Sequence, residues 1–361
     1  MKTAPRAVGV VTIYDLRNFG NRLQNWAVHK GLRDRGLMPV NLVYPQKTVR
    51  SHVGNVIRFS WLRQKRHLHT PRGRRFCTFS RQMPTKVIHS PLGLKAAGRE
   101  CACVVVGSDQ IWNPHFFKPH PFEFLGWTEI QRRIALSPSF GVSEIPVEYR
   151  PTYARLLNGF PRLSTREDAG AAIISELTGR NAEVLIDPTL SISAEEWRAV
   201  ADNSLRPESP YVLTYFLGAL SAERRAYIED VAQERGVDIV HLLDPSVPRI
   251  YEAGPAEFLD FIDNAECVFT DSFHGSAFSL IFSTPLVIFD RESNLASMSS
   301  RVETFLQTFG LQACEYRPQM DVDPFEVDYA HAHEVLGQKR QQYFAYLDEE
   351  LARALNHQTV K

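Results

Sequence analysis

Acidic residues are missing from a long stretch of this sequence: none occurs between Asp34 and Glu100. Cysteine is scarce as well. The five cysteines, Cys77, Cys101, Cys103, Cys267 and Cys314, include no C-x-x-C pair, which excludes a zinc ribbon and a disulfide scaffold. Cys101 and Cys103 alternate at the start of an apolar run and read as packed thiols of a reducing compartment. No apolar run approaches the length of a membrane span. The opening MKTAPRAVGVVTIYD is too short in its apolar part for a leader and reads as a first strand, so a cytoplasmic location is expected. Net charge is absent too: Lys+Arg and Asp+Glu stand at 41 each, which gives no reason to expect nucleic acid as a partner. No internal repeat and no low-complexity tract is found.

What is present is alternation of short apolar runs with longer helical patterns over 361 residues, enough for two domains. Strands are expected at Ala7 to Tyr14, Met38 to Val43, Cys101 to Val106, Arg133 to Leu136, Arg162 to Thr165 and Val184 to Ile186. A helix is expected from Asn21 to Arg35, closed by Gly36. Asp202 to Pro210 is polar and proline-punctuated, as a linker is. Beyond it, strands at Tyr211 to Leu217, Val237 to Leu243, Cys267 to Thr270 and Pro285 to Phe289 alternate with helices at Ala222 to Arg235, Pro255 to Asn264, Phe273 to Phe282 and Arg301 to Phe309. A last helix over Ala332 to Leu355 carries Phe344, Leu347, Leu351 and Leu355 as a docking stripe. The expectation is an α/β protein of two doubly wound Rossmann-like domains facing a cleft, 1–204 and 205–361, with the terminal helix docking back.

In such folds the chemistry sits in loops after strands. After Val106 comes GSDQIWNP, Gly107 to Pro114. After Leu136 comes SPSFG, Ser137 to Gly141, and after Thr165 comes Arg166-Glu167. Asp187-Pro188-Thr189 follows Ile186, and TDSFHGS, Thr270 to Ser276, follows Phe269. His274 stands at the start of a helix whose backbone N–H groups suit an anion, and its imidazole can move a proton near neutral pH; Asp271 or Ser272 is the alternative reading, as a plain helix cap. Arg166 can clamp a phosphate or carboxylate on two prongs, or pair with Glu167 or Asp168. Ser300 to Glu303 has the spacing of a capping box, with Arg301 in the first turn. Asp321-Val322-Asp323 mimics a metal-binding D-x-D, but no metal is expected there.

Taken in order, these pieces resemble the polysaccharide pyruvyltransferase family. The match runs from about Val8 to Leu311: NFGNRLQNWAVHKGL (Asn18 to Leu32), GSDQIWNP, the SFG of Ser139 to Gly141, Arg166-Glu167, DPT, the run from Pro255 to Phe282 with TDSFHG, and SSRVETFLQTFGL (Ser299 to Leu311). The resemblance implies a fold like the type B glycosyltransferases, phosphoenolpyruvate as donor, a sugar hydroxyl pair as acceptor, and a pyruvate ketal as product. It implies His274 and Arg166 as the catalytic pair. Asp109, by its loop position, is expected to orient or deprotonate the acceptor hydroxyl. Substrate contacts are expected from Asn18, Gly20, Asn21, Gly107, Ser108, Gln110, Ser139, Phe140, Gly141, Ser272, Gly275, Ser276, Ser300 and Arg301. Ser137-Pro138 departs from the family pattern, which has small residues without proline there. No cofactor and no metal is required.

Two rival readings are a type B glycosyltransferase with a nucleotide-sugar donor and a non-catalytic ligand-binding module. The basic stretch Lys47 to Lys86, with Phe59, Trp61, Phe76 and Phe79, reads either as a solvated face or as the acceptor side. In the second case Arg72, Arg74 and Arg75 supply charge to an acceptor carried on a nucleotide or lipid diphosphate, or to the inner face of a membrane.

Overall fold

The structure is a computed structural model and describes residues 6–44, 69–116, 118–291, 300–318 and 323–356. The chain forms two compact units: the first takes residues from 1–67, 80–191 and 339–361, the second from 68–79 and 192–338. The division differs from the expected 1–204 and 205–361 in three places. It falls after Ser191, part of the basic stretch belongs to the second unit, and the end of the chain belongs to the first.

Eleven strands occur among the described residues: β1 Ala7–Val11, β2 Met38–Val43, β3 Thr85–Val87, β4 Cys103–Val106, β5 Arg133–Ala135, β6 Ser164–Thr165, β7 Glu183–Val184, β8 Tyr211–Tyr215, β9 Asp238–His241, β10 Cys267–Thr270 and β11 Leu286–Ile288. In the first unit the sheet order is β3-β2-β1-β4-β5, parallel throughout, with β6 and β7 as a separate pair. In the second the order is β11-β10-β8-β9, again parallel. Each is a doubly wound Rossmann-like sheet, as expected from the sequence.

Parallel strands are covered on both faces, and their sequences show it. Val8, Val10 and Val11 of β1 and Val104, Val105 and Val106 of β4 are all fully buried, each side chain stabilising by about 1.5–3 kcal/mol. The strand order reverses between β1 and β4 in the first unit and between β8 and β10 in the second. Loops leaving the carboxyl ends of those strands are where this fold places ligands.

The break between β5 and β6 has a local cause. Ser164 Oγ donates to Ala135 O at 2.6 Å and accepts from Ser137 N at 3.0 Å, so a side chain takes bonds that a backbone ladder would make.

Helices begin and end where capping chemistry allows. Asn18 caps the helix Phe19–Arg33 by accepting from Asn21 N, with Lys30 and Arg33 in its last turn and Gly36 just beyond at φ 72. Ser221 caps Ala222–Arg235, and Gly236 closes it in the left-handed region. The helices Pro71–Ser80, Pro91–Glu100, Arg150–Leu157 and Asp168–Thr178 are additional to those expected from the sequence.

The last helix, Ala330–Asn356, docks as expected, although its buried stripe is turned from the expected one. Tyr343, Tyr346, Leu347, Glu350, Leu351 and Ala354 are buried, while Phe344 and Leu355 lie at the margin. Polar anchors decide the rotation. Tyr346 Oη donates to Ala135 O at 2.9 Å, and the Arg353 guanidinium donates to Gln131 O and Arg133 O at 2.8 Å each.

Asp202 to Pro210 is irregular, as a linker should be, but it is fastened within the second unit. Asp202 N donates to Ala256 O at 3.1 Å and Arg206 Nε to Asp260 Oδ2 at 2.9 Å.

Candidate active site

Five loops of the first unit are tied together at the carboxyl ends of its strands. Arg166, just past β6, is buried and forms an ion pair with the fully buried Asp187 through Nη1 and Oδ2. Ser108 Oγ donates to the same oxygen at 2.8 Å. Asp187 Oδ1 accepts from Thr189 N at 2.9 Å and Thr189 Oγ1 at 2.8 Å. The DPT turn is thereby folded around the carboxylate that faces Arg166. Burial pulls the Arg166 guanidinium down, but the carboxylates of Asp187, Glu167 and Asp109 more than offset this and hold it above its ordinary value.

Glu167 points elsewhere. Its Oε1 accepts from Ser139 Oγ at 3.0 Å, Phe140 N at 2.7 Å and Gly141 N at 3.1 Å, so it pins the SFG turn. Further bonds hold that turn despite its proline. Thr165 Oγ1 donates to Pro138 O at 3.0 Å, Ser139 N donates to Asp109 O at 2.9 Å, and Ser137 adopts φ 47. Gly141 sits at φ 62, where a side chain is strained, and a Cβ there would stand 2.2 Å from Gln110 Oε1, which accepts from Asn113 Nδ2, so the Gln110 amide would have to shift.

Asp109 occupies the left-handed region at φ 68, uncommon for a residue other than glycine. Its carboxylate accepts from Gln110 N at 2.8 Å and from Asn21 Nδ2 at 2.9 Å, the latter bridging from β4 to the helix after β1. Behind it, Gln24 Nε2 donates to Thr12 Oγ1 at 2.8 Å and Thr12 Oγ1 to Ser108 O at 3.0 Å. Asn18, Gly20, Asn21, Gly107, Ser108, Asp109, Gln110, Ser139, Gly141 and Arg166 therefore belong to one end of one sheet. Phe140 corrects the expectation for that residue: its ring is fully buried against Trp112 and Tyr153, and only its backbone N–H enters the network.

In the second unit the TDSFHG residues lie at the end of β10. Thr270 Oγ1 donates to Tyr215 O at 2.6 Å and accepts from Ser272 N at 3.0 Å. The helix Phe273–Phe282 crosses close above, because a Cβ on Gly275 would lie 2.6 Å from Thr270 Oγ1. Neither candidate cap closes this helix: Ser272 is the N-cap residue without a side-chain cap bond, and Asp271 turns away. Its carboxylate accepts from Leu217 N and Gly218 N at 2.7 Å each and pairs with Arg291 Nε at 3.1 Å.

His274 is buried in the first turn, its ring edge-on to Phe273. Ser276 Oγ donates to Ser272 O at 3.1 Å. Phe273 also meets Phe305, which brings the helix Ser300–Phe309, with the buried Arg301, onto the same end. Burial pushes the Tyr215 hydroxyl up to about 12, against the pull of Arg72 and a hydrogen bond with Ser272.

Glu167, Asp187 and Asp271 hold the frame of these sites, and their motifs were visible in the sequence while their partners were not. The basic stretch corrects an expectation. Phe76 and Phe79 are buried, Arg72 Nη1 donates to Tyr251 O at 2.9 Å, and Arg75 pairs with the buried Glu257, all within the second unit. Of Arg72, Arg74 and Arg75, only Arg74 is exposed. Phe59 and Trp61 lie outside the described residues, as do Asp321 and Val322 of the D-x-D. Among the described residues no group of three or more His, Cys, Asp or Glu could hold a metal, and no helix is long and apolar enough to cross a membrane. All five cysteines are free thiols, and burial pushes Cys103 up to about 12.

The class that emerges is an α/β protein of two Rossmann-like units with polar loops gathered at the carboxyl ends of both sheets. The chain belongs to the polysaccharide pyruvyl transferase family, whose model matches residues 18–293. The family is one of transferases. No curated protein sequence matches the chain. Among solved structures it is similar to Arabidopsis thaliana UGT89C1 complexed with quercetin, at 12% identity over 97% of this chain and 100% of that one, TM-score 0.48. It is also similar to α,α-trehalose 6-phosphate synthase from Burkholderia multivorans, at 10% identity over 99% of each chain, TM-score 0.44.

Proposed function

We propose that this chain transfers the pyruvyl group of phosphoenolpyruvate onto two hydroxyls of one sugar, forming a pyruvate ketal and releasing phosphate in the synthesis of a polysaccharide or glycoconjugate. The observation that carries the reading is the buried Arg166–Asp187–Ser108 cluster, which draws three of the family-like motifs onto one guanidinium held in its charged form.

Phosphoenolpyruvate carries a carboxylate and a phosphate, and needs fixed cations and convergent N–H donors. In the first unit Arg166 is such a cation; within the second unit, the first turn of Phe273–Phe282 has N–H groups without a side-chain cap. In the reaction a proton adds to the vinyl carbon and leaves its neighbour an oxocarbenium-like electrophile. One sugar hydroxyl attacks and loses its proton. The C–O bond to phosphate then breaks, and the second hydroxyl attacks the oxocarbenium-like carbon this leaves, losing its own proton as the ketal closes. His274 is assigned the proton transfers, Arg166 the charge of the departing phosphate, and Asp109 the acceptor hydroxyl.

The test is incubation with phosphoenolpyruvate and a panel of nucleotide-diphosphate and lipid-diphosphate sugars, followed by mass spectrometry and phosphate determination. A product heavier by the pyruvyl ketal, formed with one phosphate per ketal, is expected. Consumption of a nucleotide sugar with phosphoenolpyruvate left intact would overturn the reading.

A further inference from the structure

Arg22 is a fully buried cation, and among the described residues no carboxylate lies within ion-pair distance of it. Such a group costs several kcal/mol to bury, so its placement calls for a return. Nε at 3.1 Å and Nη2 at 2.6 Å both donate to Asn21 Oδ1. Nη2 also donates to Ile13 O at 3.0 Å, the guanidinium carbon stands 4.5 Å over the Tyr14 ring, and Nη1 has no hydrogen-bond partner. Asn21 Oδ1 accepts a third bond, from Asp15 N at 3.0 Å.

Three donors on one oxygen settle which way the Asn21 amide faces. Its NH2 must point the other way, and it donates to Asp109 Oδ2 at 2.9 Å. The line therefore runs from a buried cation through a buried amide to a half-buried carboxylate at the sheet's reversal point. Asp109 is also held by Gln110 N and by its left-handed backbone, so the carboxylate has one orientation.

We infer that Arg22 is a positioning residue: through the Asn21 amide it fixes the Asp109 carboxylate in one orientation, so that Asp109 accepts the hydrogen bond of the acceptor hydroxyl. The inference rests on the assignment of Asp109 to the acceptor under the function proposed above. Other charges also act on Asp109: Arg166 lies within electrostatic reach from the loop after β6, and Asp15 opposes both cations from the loop after β1.

The experiment reads the line at its middle and at its end in the full chain: the side-chain amide proton signals of Asn21, identified by Asn21→Ala, and kcat for ketal formation beside phosphoenolpyruvate affinity. Arg22→Met, checked for folding by its melting curve, is expected to move the Asn21 amide signals and to lower kcat about tenfold with phosphoenolpyruvate affinity retained. In an Asp109→Asn background Arg22→Met should cost nothing further, because both act through one carboxylate. If Arg22→Met fails to fold, Asn21→Ala, which cuts the line at its middle, is expected to give the same loss in kcat and the same absence of further loss beside Asp109→Asn. Unmoved Asn21 signals in folded Arg22→Met overturn the role of Arg22 whatever reaction the protein catalyses, and so does a loss that adds in full to that of Asp109→Asn. Full turnover in Asp109→Asn would instead remove Asp109 from the chemistry while leaving the amide result to stand.

Discussion

Glu167 Oε1 lies 2.7 Å from Phe140 N and 3.0 Å from Ser139 Oγ, so a buried carboxylate stands where the turn after β5 would otherwise leave its N–H groups unbonded. Arg166 and Glu167 are adjacent in sequence and separate in task. Glu167 is in extended backbone, where consecutive side chains leave on opposite sides. One arginine thus meets Asp187 and the next residue meets the SFG turn.

Glu167→Ala removes an acceptor from three buried donors at once, counting Gly141 N. Urea denaturation should show a loss of about 3 kcal/mol, and Glu167→Gln, which keeps an oxygen there, a loss of about 1 kcal/mol. An alanine variant as stable as the parent would mean that the turn needs no such anchor.

Asp187→Ala should be more damaging, because it strands the Arg166 guanidinium in a fully buried setting and also frees the Thr189 turn. A loss of about 3–5 kcal/mol is expected by denaturation. Arg166→Lys keeps the charge and loses the planar fork, so it should weaken phosphoenolpyruvate binding by calorimetry as well as slow turnover. Parental affinity and rate in that variant would remove the clamp assignment.

His274→Ala should abolish ketal formation while leaving the melting temperature and most phosphoenolpyruvate affinity in place. A proton carrier contributes in the transition state more than in the bound ground state. Equilibrium dialysis beside the product assay separates the two quantities. Near-parental turnover would take His274 out of the mechanism.

The loops were legible because the fold itself dictates where to look. Apolar runs such as CVVV and CVFT mark buried parallel strands, and the polar residues after them are the ones the structure gathers. Met38–Val43, Ala222–Arg235, Cys267–Thr270 and Phe273–Phe282 agree with the expected bounds to the residue. Membership of the two units was not legible, because nothing local tells the helix Pro71–Ser80 that Glu257 waits 182 residues away to pair with Arg75. Nor does sequence reveal that Asp271, in capping position, instead bonds Leu217 N and Gly218 N across the second sheet's reversal point.

A pH dependence follows from His29, fully buried on the helix Phe19–Arg33, whose Nε2–H donates to Asn41 Oδ1 at 3.0 Å. Burial pulls its pKa from 6.5 down to about 4, so the folded protein keeps the ring neutral where the unfolded chain takes up a proton. The group's contribution is intact above pH 6.5 and is lost as pH falls from there toward about 4, amounting to about 3 kcal/mol over the window. His29→Gln should flatten the stability curve between those limits relative to the parent. Parallel curves for the two proteins would show that His29 titrates alike in both states.

The three arginines of the helix Pro71–Ser80 should now separate by stability rather than act together on an acceptor. Arg75 neutralises Glu257, whose side chain is only 4% exposed and whose other oxygen accepts from Gly254 N. Arg75→Ser leaves that carboxylate buried beside an empty place, and a loss of about 2 kcal/mol is expected, reduced from a fully buried pair because Arg75 itself is partly solvated. Arg72 lies between the rings of Phe76 and Tyr251, 5.2 Å from each, and its bond to Tyr251 O ties its helix to the short helix Pro248–Tyr251 after β9. Arg72→Ser should cost about 1–2 kcal/mol. Arg74 is exposed and donates to His69 O at 3.0 Å, so Arg74→Ser should fall within about 0.5 kcal/mol of the parent. Thermal melts of the three single variants decide the matter. If all three melt with the parent and instead raise the KM for a diphosphate-linked acceptor together, the arginines face a ligand and the pairings with Tyr251 and Glu257 are incidental.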